Sequence, residues 1–301
     1  MRRAIAGLLL LLWAAQAETV VSAPFTGVTH IHRTESEPRA VSMHVVLIDL
    51  RTPGLRFKVT APSGGRETVR QRTVDFLERE GAQVAINAHF FLPFPTDDSE
   101  VFLVGLAASE GRVYSAFEAP SQPYAIVSDA PSLNLDRENR AAIVTRDPAD
   151  IEGGVRENIE LWNAVAGSAQ IVTSGVKTIP VYLDEAHPRA PLVAGGPGPY
   201  SNADSWYERV NARTVIGLTR DGRTLVLFIV DRAAGSLGMT VGEAADLLAR
   251  DYGVWDALNL DGGGSTTLAM QQDGRGVAVN TPSEGGLGRA VGSSLAVFVA
   301  K

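Results

Sequence analysis

Apolar residues fall along this chain mostly in short runs broken by Gly, Pro, Asn and Asp, the pattern of strands and turns. VSMHVVLIDL (41–50) and LRFKVTAP (55–62) read as strands joined by the turn RTPG. TVRQRTVDFLEREGA (68–82) changes period, placing Val69, Thr73, Phe76 and Leu77 on one helical face and stopping at Gly81. QVAINAHFF (83–91) is then a buried strand ending in polar residues. Further strands are expected within 101–115, 124–135, 139–147 and 161–176, the last interrupted by Gly167 and Ser168. RTVIGL (213–218) and TLVLFIVD (224–231) flank RDGR as a hairpin, and DALNLD (256–261) and SSLAVFVA (293–300) are strands. TVGEAADLLARDYGV (240–254) is a second helix, with Thr240 as N-cap and Glu243 at the capping-box position.

These elements predict an α+β fold: a large mixed, mostly antiparallel sheet with two main helices at 68–80 and 240–252, in one catalytic domain over 41–301. Residues 18–40 are mixed and polar, an N-terminal strand and connector. The stretch 187–210 is dense in Gly and Pro, a loop that either covers a site or is a surface excursion. There is also an internal echo. Gly81 laid over Gly253 brings Ala85 onto Ala257 and Asn87 onto Asn259, each unit being helix, Gly stop and buried strand ending in Asn. If the echo is a duplication, both Asn-ended strands converge on one place.

The first residues change the picture of where the protein works. Arg2 and Arg3, the apolar run 4–15 and Ala15-Gln16-Ala17 have the plan of a signal peptide over 1–17, which implies an exported protein, periplasmic or secreted. The run is too short for an ordinary span, so no stable membrane span is expected after cleavage. At 45% apolar and 20% charged the 301 residues are ordinary globular composition, and a net charge of −7 argues against nucleic acid as a partner. Any anion site must be a local basic spot. With no cysteine there is no disulfide, thiolate metal site or cysteine nucleophile.

Candidate chemistry concentrates in LDGGGSTTL (260–268). Gly262, Gly263 and Gly264 let backbone N–H groups approach a ligand, Ser265, Thr266 and Thr267 add hydroxyls, and Asp261 brings a charge to a strand end. That set suits an oxygen-rich ligand, although a glycine-rich hairpin turn has the same residues. It is neither a Walker A loop nor a nucleophile elbow. A conventional hydrolase pairing Ser265 with His89 has no local motif behind it. Histidine-rich zinc spacing is missing, so no metal or other cofactor is required; Ca²⁺ or Mg²⁺ held by Asp231 and Asp261 is the alternative.

NLDGGGSTTL resembles the signature of the phosphodiester glycosidases, and four other stretches resemble that family in order: VAINAHFF (84–91), NAVAGS (163–168), ARTVIGL (212–218) and GRAVGSSLAVF (288–298). Three positions depart from the pattern. Ala88-His89 stands where the family often has Gly-Gly, DRAAGS (231–236) lacks the glycine after Asp231, which leaves Arg232 doubtful as a ligand residue, and Gly288 replaces an acidic residue before Arg289. The resemblance implies cleavage of a sugar C1–O bond whose other side is a phosphodiester. Taken with the chemistry of the residues themselves, the expected catalytic set is Asp261, Arg213, Asn87 and His89, the last where the family often has glycine, with substrate contacts from Asn259, the 262–266 loop, Arg289, Asp231, Gly167 and Ser168. Each also has an ordinary structural explanation as a strand tie, a turn cap or a packed side chain. A phosphate leaves as an anion, so one carboxylate near the anomeric carbon suffices where ordinary glycosidases need an acid as well. The substrate expected is a glycan or sugar phosphate, and the alternative function is a non-catalytic envelope protein that binds phosphorylated glycans.

Overall fold

The computed structural model describes residues 17–117, 130–150, 154–179 and 207–299. Strand pairing among them is antiparallel, and three sheets carry the core. The largest has eight strands, in the order Glu18–Phe25, Val28–Glu35, Val41–Asp49, Thr224–Val230, Arg213–Thr219, Val254–Asn259, Ala169–Thr173 and Val176–Lys177. A five-stranded sheet runs Arg275–Ala278, Leu268–Gln272, Val84–Asn87, Ser294–Phe298 and Arg56–Val59. A second five-stranded sheet contains Ser132–Leu135 and Asn163–Ala166 at its centre. The expected α+β architecture is thus present, with the sheet divided and folded over on itself.

Alternation along the strands explains the division. In Val41–Asp49, His44, Val46 and Ile48 face inward between the sheets, while Met43 and Val45 face outward. The inward set joins Ile86, Leu133, Val165, Leu227, Leu258, Leu268 and Leu295 in the main core. Each such fully buried aliphatic side chain contributes roughly 2 kcal/mol. The outward face of the eight-stranded sheet is covered by α2 (Val241–Tyr252), through Val241, Ala244, Ala245 and Leu248. The five-stranded sheet that holds Val84–Asn87 is covered by α1 (Thr73–Glu80), through Val74, Phe76 and Leu77.

Helix ends follow the caps. Thr240 Oγ1 accepts from the Glu243 N–H at 3.1 Å, the Glu243 carboxylate accepts from Thr240 N–H at 2.8 Å, and Gly253 ends α2 in the left-handed region. α1 is shorter than its apolar spacing predicts. It starts at Thr73, because Thr68–Val69 and Gln71–Arg72 are drawn off as short strands against 100–101 and 290–291, leaving Val69 38% exposed. Residues 18–35 form a hairpin that continues the large sheet. The segment 161–176 is two strands, Asn163–Ala166 and Ala169–Thr173, in different sheets; the chain crosses between them at Gly167 and Ser168.

Candidate active site

The turn after strand Val254–Asn259 is fixed from several distant places. Asp261 N–H donates to the Ala88 carbonyl at 3.0 Å and Gly263 N–H to that of Ala212 at 2.9 Å. Asn87, fully buried, is the hub. Its Nδ2 donates to the Asp261 carbonyl at 2.6 Å, and its Oδ1 accepts from Thr214 Oγ1 at 2.8 Å and Thr267 N–H at 3.1 Å. Asn280 closes the other end: its Oδ1 accepts from Leu268 N–H at 2.7 Å and its Nδ2 donates to Thr266 O at 3.2 Å. Residues 263–265 form one 3-10 turn inside this frame.

Held in that frame is a set of polar groups that the fold itself does not satisfy. Ser265 Oγ, Thr266 Oγ1, Thr267 Oγ1 and Asn259 Oδ1 are buried and have no hydrogen-bond partner. Unmade buried polar groups cost about 1–3 kcal/mol each, so four around one turn are the mark of a ligand position. Asp261 is only partly exposed, and burial pushes its carboxyl up to about 6 despite the opposing pull of Ser265, Arg289 and the Gly262 N–H. The Gly262 N–H donates to Oδ1 at 2.9 Å, whereas Ser265 Oγ lies near the carboxylate without a well-aligned hydrogen bond. A carboxyl raised by burial within such a turn is a functional-site signature.

The cation beside it is Arg289. Its guanidinium lies 4.9 Å from the Phe94 ring centroid and donates from Nε to Glu284 Oε1 at 2.9 Å. Gly264 lets the pair lie close over the turn: a Cβ there would stand 2.4 Å from Arg289 Nη2 and 2.4 Å from Glu284 Oε1, and both side-chain ends would have to shift.

The strand ends at 87–89, 212–213 and 261–266 therefore meet, and Asn87, Asp261, Gly262, Gly263, Gly264, Ser265, Thr266, Asn259 and Arg289 are gathered at one turn. Several expected roles change. Asn87 is a tie whose oxygen and nitrogen hold the turn. His89 is fully buried, with Nδ1 3.0 Å from Ser293 Oγ and Nε2 accepting from Ala166 N–H at 3.0 Å; burial pushes it down to about 4, so it stays neutral. It packs the seam between sheets with both ring nitrogens engaged elsewhere and makes no hydrogen bond to Ser265, which removes the Ser265–His89 pairing. Arg213 begins its strand as expected, but the residue is 1% exposed and its guanidinium donates to the carbonyls of Met239 and Arg209. Burial lowers it to about 10.

Gly167 and Ser168 serve Asn259. A Cβ at Gly167 would sit 2.5 Å from the Asn259 carbonyl oxygen, Ser168 N–H donates to that oxygen at 2.8 Å, and Asn259 Nδ2 donates to Ser168 Oγ at 2.9 Å. Asp231 lies in a separate cleft of about 470 Å³, lined also by His30, His32, His44 and Thr281. Its carboxylate accepts from Asn280 Nδ2 at 2.9 Å and Thr281 N–H at 3.1 Å, so it reaches the turn only through Asn280. Arg232 is exposed and touches Asn211. Of the loop 187–210, residues 187–206 lie outside the described residues, as do 1–16; Tyr207 packs beside Arg213. Among the described residues no group of three or more His, Asp or Glu is placed to hold a metal ion.

Asn280, Thr214 and Glu284 were not legible as site residues. Asn280 follows strand Arg275–Ala278 and repeats the strand-end asparagine of 87 and 259, a signal that was available.

The sheet architecture with two outer helices is shared with solved proteins. The zebrafish N-acetylglucosamine-1-phosphodiester alpha-N-acetylglucosaminidase catalytic domain, auto-inhibited by its pro-peptide, matches with a TM-score of 0.60 at 19% identity, over 94% of this chain and 88% of that one. A protein from Burkholderia pseudomallei matches with a TM-score of 0.64 at 14% identity, over 99% of this chain and 100% of that one. The family model for phosphodiester glycosidase matches residues 80–298. The chain belongs to the phosphodiester glycosidase family. It is 28% identical over 256 residues to mouse N-acetylglucosamine-1-phosphodiester alpha-N-acetylglucosaminidase, covering 82% of this chain. It spans 43% of that relative's length.

Proposed function

We propose that this protein hydrolyses the glycosidic C1–O bond of a sugar-1-phosphodiester, in a cell-envelope or extracellular glycan. The observation that carries this reading is the 261–267 turn, with a raised carboxyl, a neighbouring arginine and four buried oxygens lacking partners. In the reaction the C1–O bond breaks with its electron pair going to the phosphate oxygen. Ionised Asp261 stabilises the positive charge growing at C1, and water adds its hydroxyl there and gives up a proton. Arg289 and the unpartnered hydroxyls of Ser265, Thr266 and Thr267 meet the charge gathering on the departing phosphate monoester. Asn87, Asn280, Ser168 and Gly167 hold these groups in position.

The signal-like residues 1–17 support an exported location, and the net charge of −7 disfavours nucleic acid. Among the described residues no helix is long and apolar enough to cross a membrane. The second reading, a protein that binds phosphorylated glycans without turnover, draws on the glycine missing after Asp231. Turnover of a synthetic sugar-1-phosphodiester by the wild type and by Asp261→Asn decides between them. Release of free sugar by the wild type alone is expected; binding by both with turnover by neither overturns the hydrolase reading.

A further inference from the structure

Arg289, the cation whose charge acts on Asp261, is held by a carboxylate of its own chain. Nε and Nη2 both donate to Glu284 Oε1, and the pair rests on the Cα of Gly264, directly over the 263–265 turn. A phosphate that engages the Nε–Nη2 edge of Arg289 competes for donors that Glu284 now occupies. Arg289 keeps the Glu284 carboxyl below its ordinary range, with a smaller contribution from Arg70. Arg70 in turn donates to the carbonyls of Ala290, Thr96 and Asp98 and lies 5.5 Å from the Phe91 ring centroid. Glu284 thus faces two guanidinium groups backed by aromatic rings.

The segment that carries Glu284 is suited to move. The Glu284 side chain is 45% exposed, whereas that of Arg289 is 20% exposed. Gly285 and Gly286 follow in left-handed backbone, and a side chain at either would meet nothing within 4 Å. The anchored partner is the arginine and the free one is the glutamate.

We propose that Glu284 is an internal stand-in for the substrate's phosphate, released from Arg289 on binding and competing for it again after cleavage. This rests on the reading of the turn as a phosphodiester site. It adds a direction to the cycle. The substrate phosphodiester carries one negative charge, whereas the product monoester, with a second pKa near 6, carries close to two at neutral pH. A nearby carboxylate repels the product more than the substrate, so Glu284 favours release. It also selects diesters over monoesters at the ground state.

The test is calorimetric titration of inorganic phosphate, at low salt and pH 7.5, into the wild type, Glu284→Gln and Arg289→Ala. Glu284→Gln is expected to bind phosphate about two- to fivefold more tightly, the range for one exposed charge, with the gain shrinking at high salt. Arg289→Ala is expected to lose most of the binding. A Glu284→Lys variant, folded by its melting curve, should bind at least as tightly as Glu284→Gln. Equal or weaker phosphate binding by both Glu284 variants overturns the proposal. Steady-state kinetics separate it from the hydrolase reading. If phosphate affinity rises as stated but no variant cleaves a sugar-1-phosphodiester, the reaction is wrong and the stand-in remains. If cleavage occurs and phosphate affinity ignores residue 284, the reverse holds.

Discussion

Replacing Asp261 by Asn should make the protein more stable while destroying its activity. The carboxyl titrates at about 6 in the folded chain against an ordinary value of 3.8, because burial disfavours its charge. A two-unit shift corresponds to about 3 kcal/mol between protonation states, and water reaching the partly exposed side chain reduces this to about 1–2 kcal/mol. The sign follows from proton counts. Between pH 3.8 and about 6 the folded state binds more protons than the unfolded state, so stability falls as pH rises through that window and is level above it. Asparagine keeps the acceptor for the Gly262 N–H and carries no charge, so it escapes the penalty. Urea unfolding at pH 8 should therefore show the variant ahead by about 1–2 kcal/mol, shrinking to less than half of that by pH 4.5. Its kcat should fall by orders of magnitude with KM little changed, the pattern of a charge used mainly in the transition state. An asparagine variant less stable at pH 8, or a stability gap independent of pH, would refute the argument that burial of this charge is a cost borne for function.

The kcat/KM for a sugar-1-phosphodiester should rise with pH through about 6 and then plateau, since the role proposed for Asp261 needs its ionised form; an alkyl glycoside, whose leaving group needs protonation, should be cleaved poorly at every pH. Asn280→Ala leaves Leu268 N–H unpaired and the Asp231 carboxylate with Thr281 N–H alone of the two, and should cost about 1–3 kcal/mol in urea unfolding. His44 stacks on His32, bonds His30 and lies 3.9 Å from Asp231, and burial lowers it to about 3. The unfolded chain therefore binds the extra proton below its ordinary 6.5. Stability is complete above that value and lost as pH falls toward 3, by up to about 1.4 kcal/mol per pH unit. His44→Asn should flatten this slope when stability is followed from pH 7 to pH 4, and an unchanged slope would assign the acid sensitivity elsewhere.

Period and punctuation carried most of the fold. Gly81 and Gly253 end their helices, Thr240 and Glu243 start one, and strand Thr224–Val230 occupies nearly all of its predicted run. What pattern did not carry was partnership. Val69 lies in phase with α1 yet sits on a short strand, because pairing with Glu100 is a long-range event without a local trace. The site divides in the same way. The 261–267 turn was visible because glycines, hydroxyls and a carboxylate seldom coincide for packing alone. His89 and Arg213 look like reagents in a sequence, since only burial reveals that one ties a seam and the other serves backbone carbonyls. The echo between the two helix–strand units has a structural counterpart: α1 and α2 cover different sheets, and Asn87 and Asn259 both reach the turn.

The tie from Asn87 to Asp261 spans 174 positions of sequence, and Thr214 and Asn280 close other contacts of the same turn. Loop closure over such separations is slow and is repaid only when the intervening strands have paired. The turn at 261–267 is therefore expected to take shape late in folding. A nascent or partly folded chain holds every reagent and none of the alignment, so activity appears in one step with completion of the sheets. Time-resolved refolding would show turnover lagging behind strand formation, a delay built into the wiring of the fold.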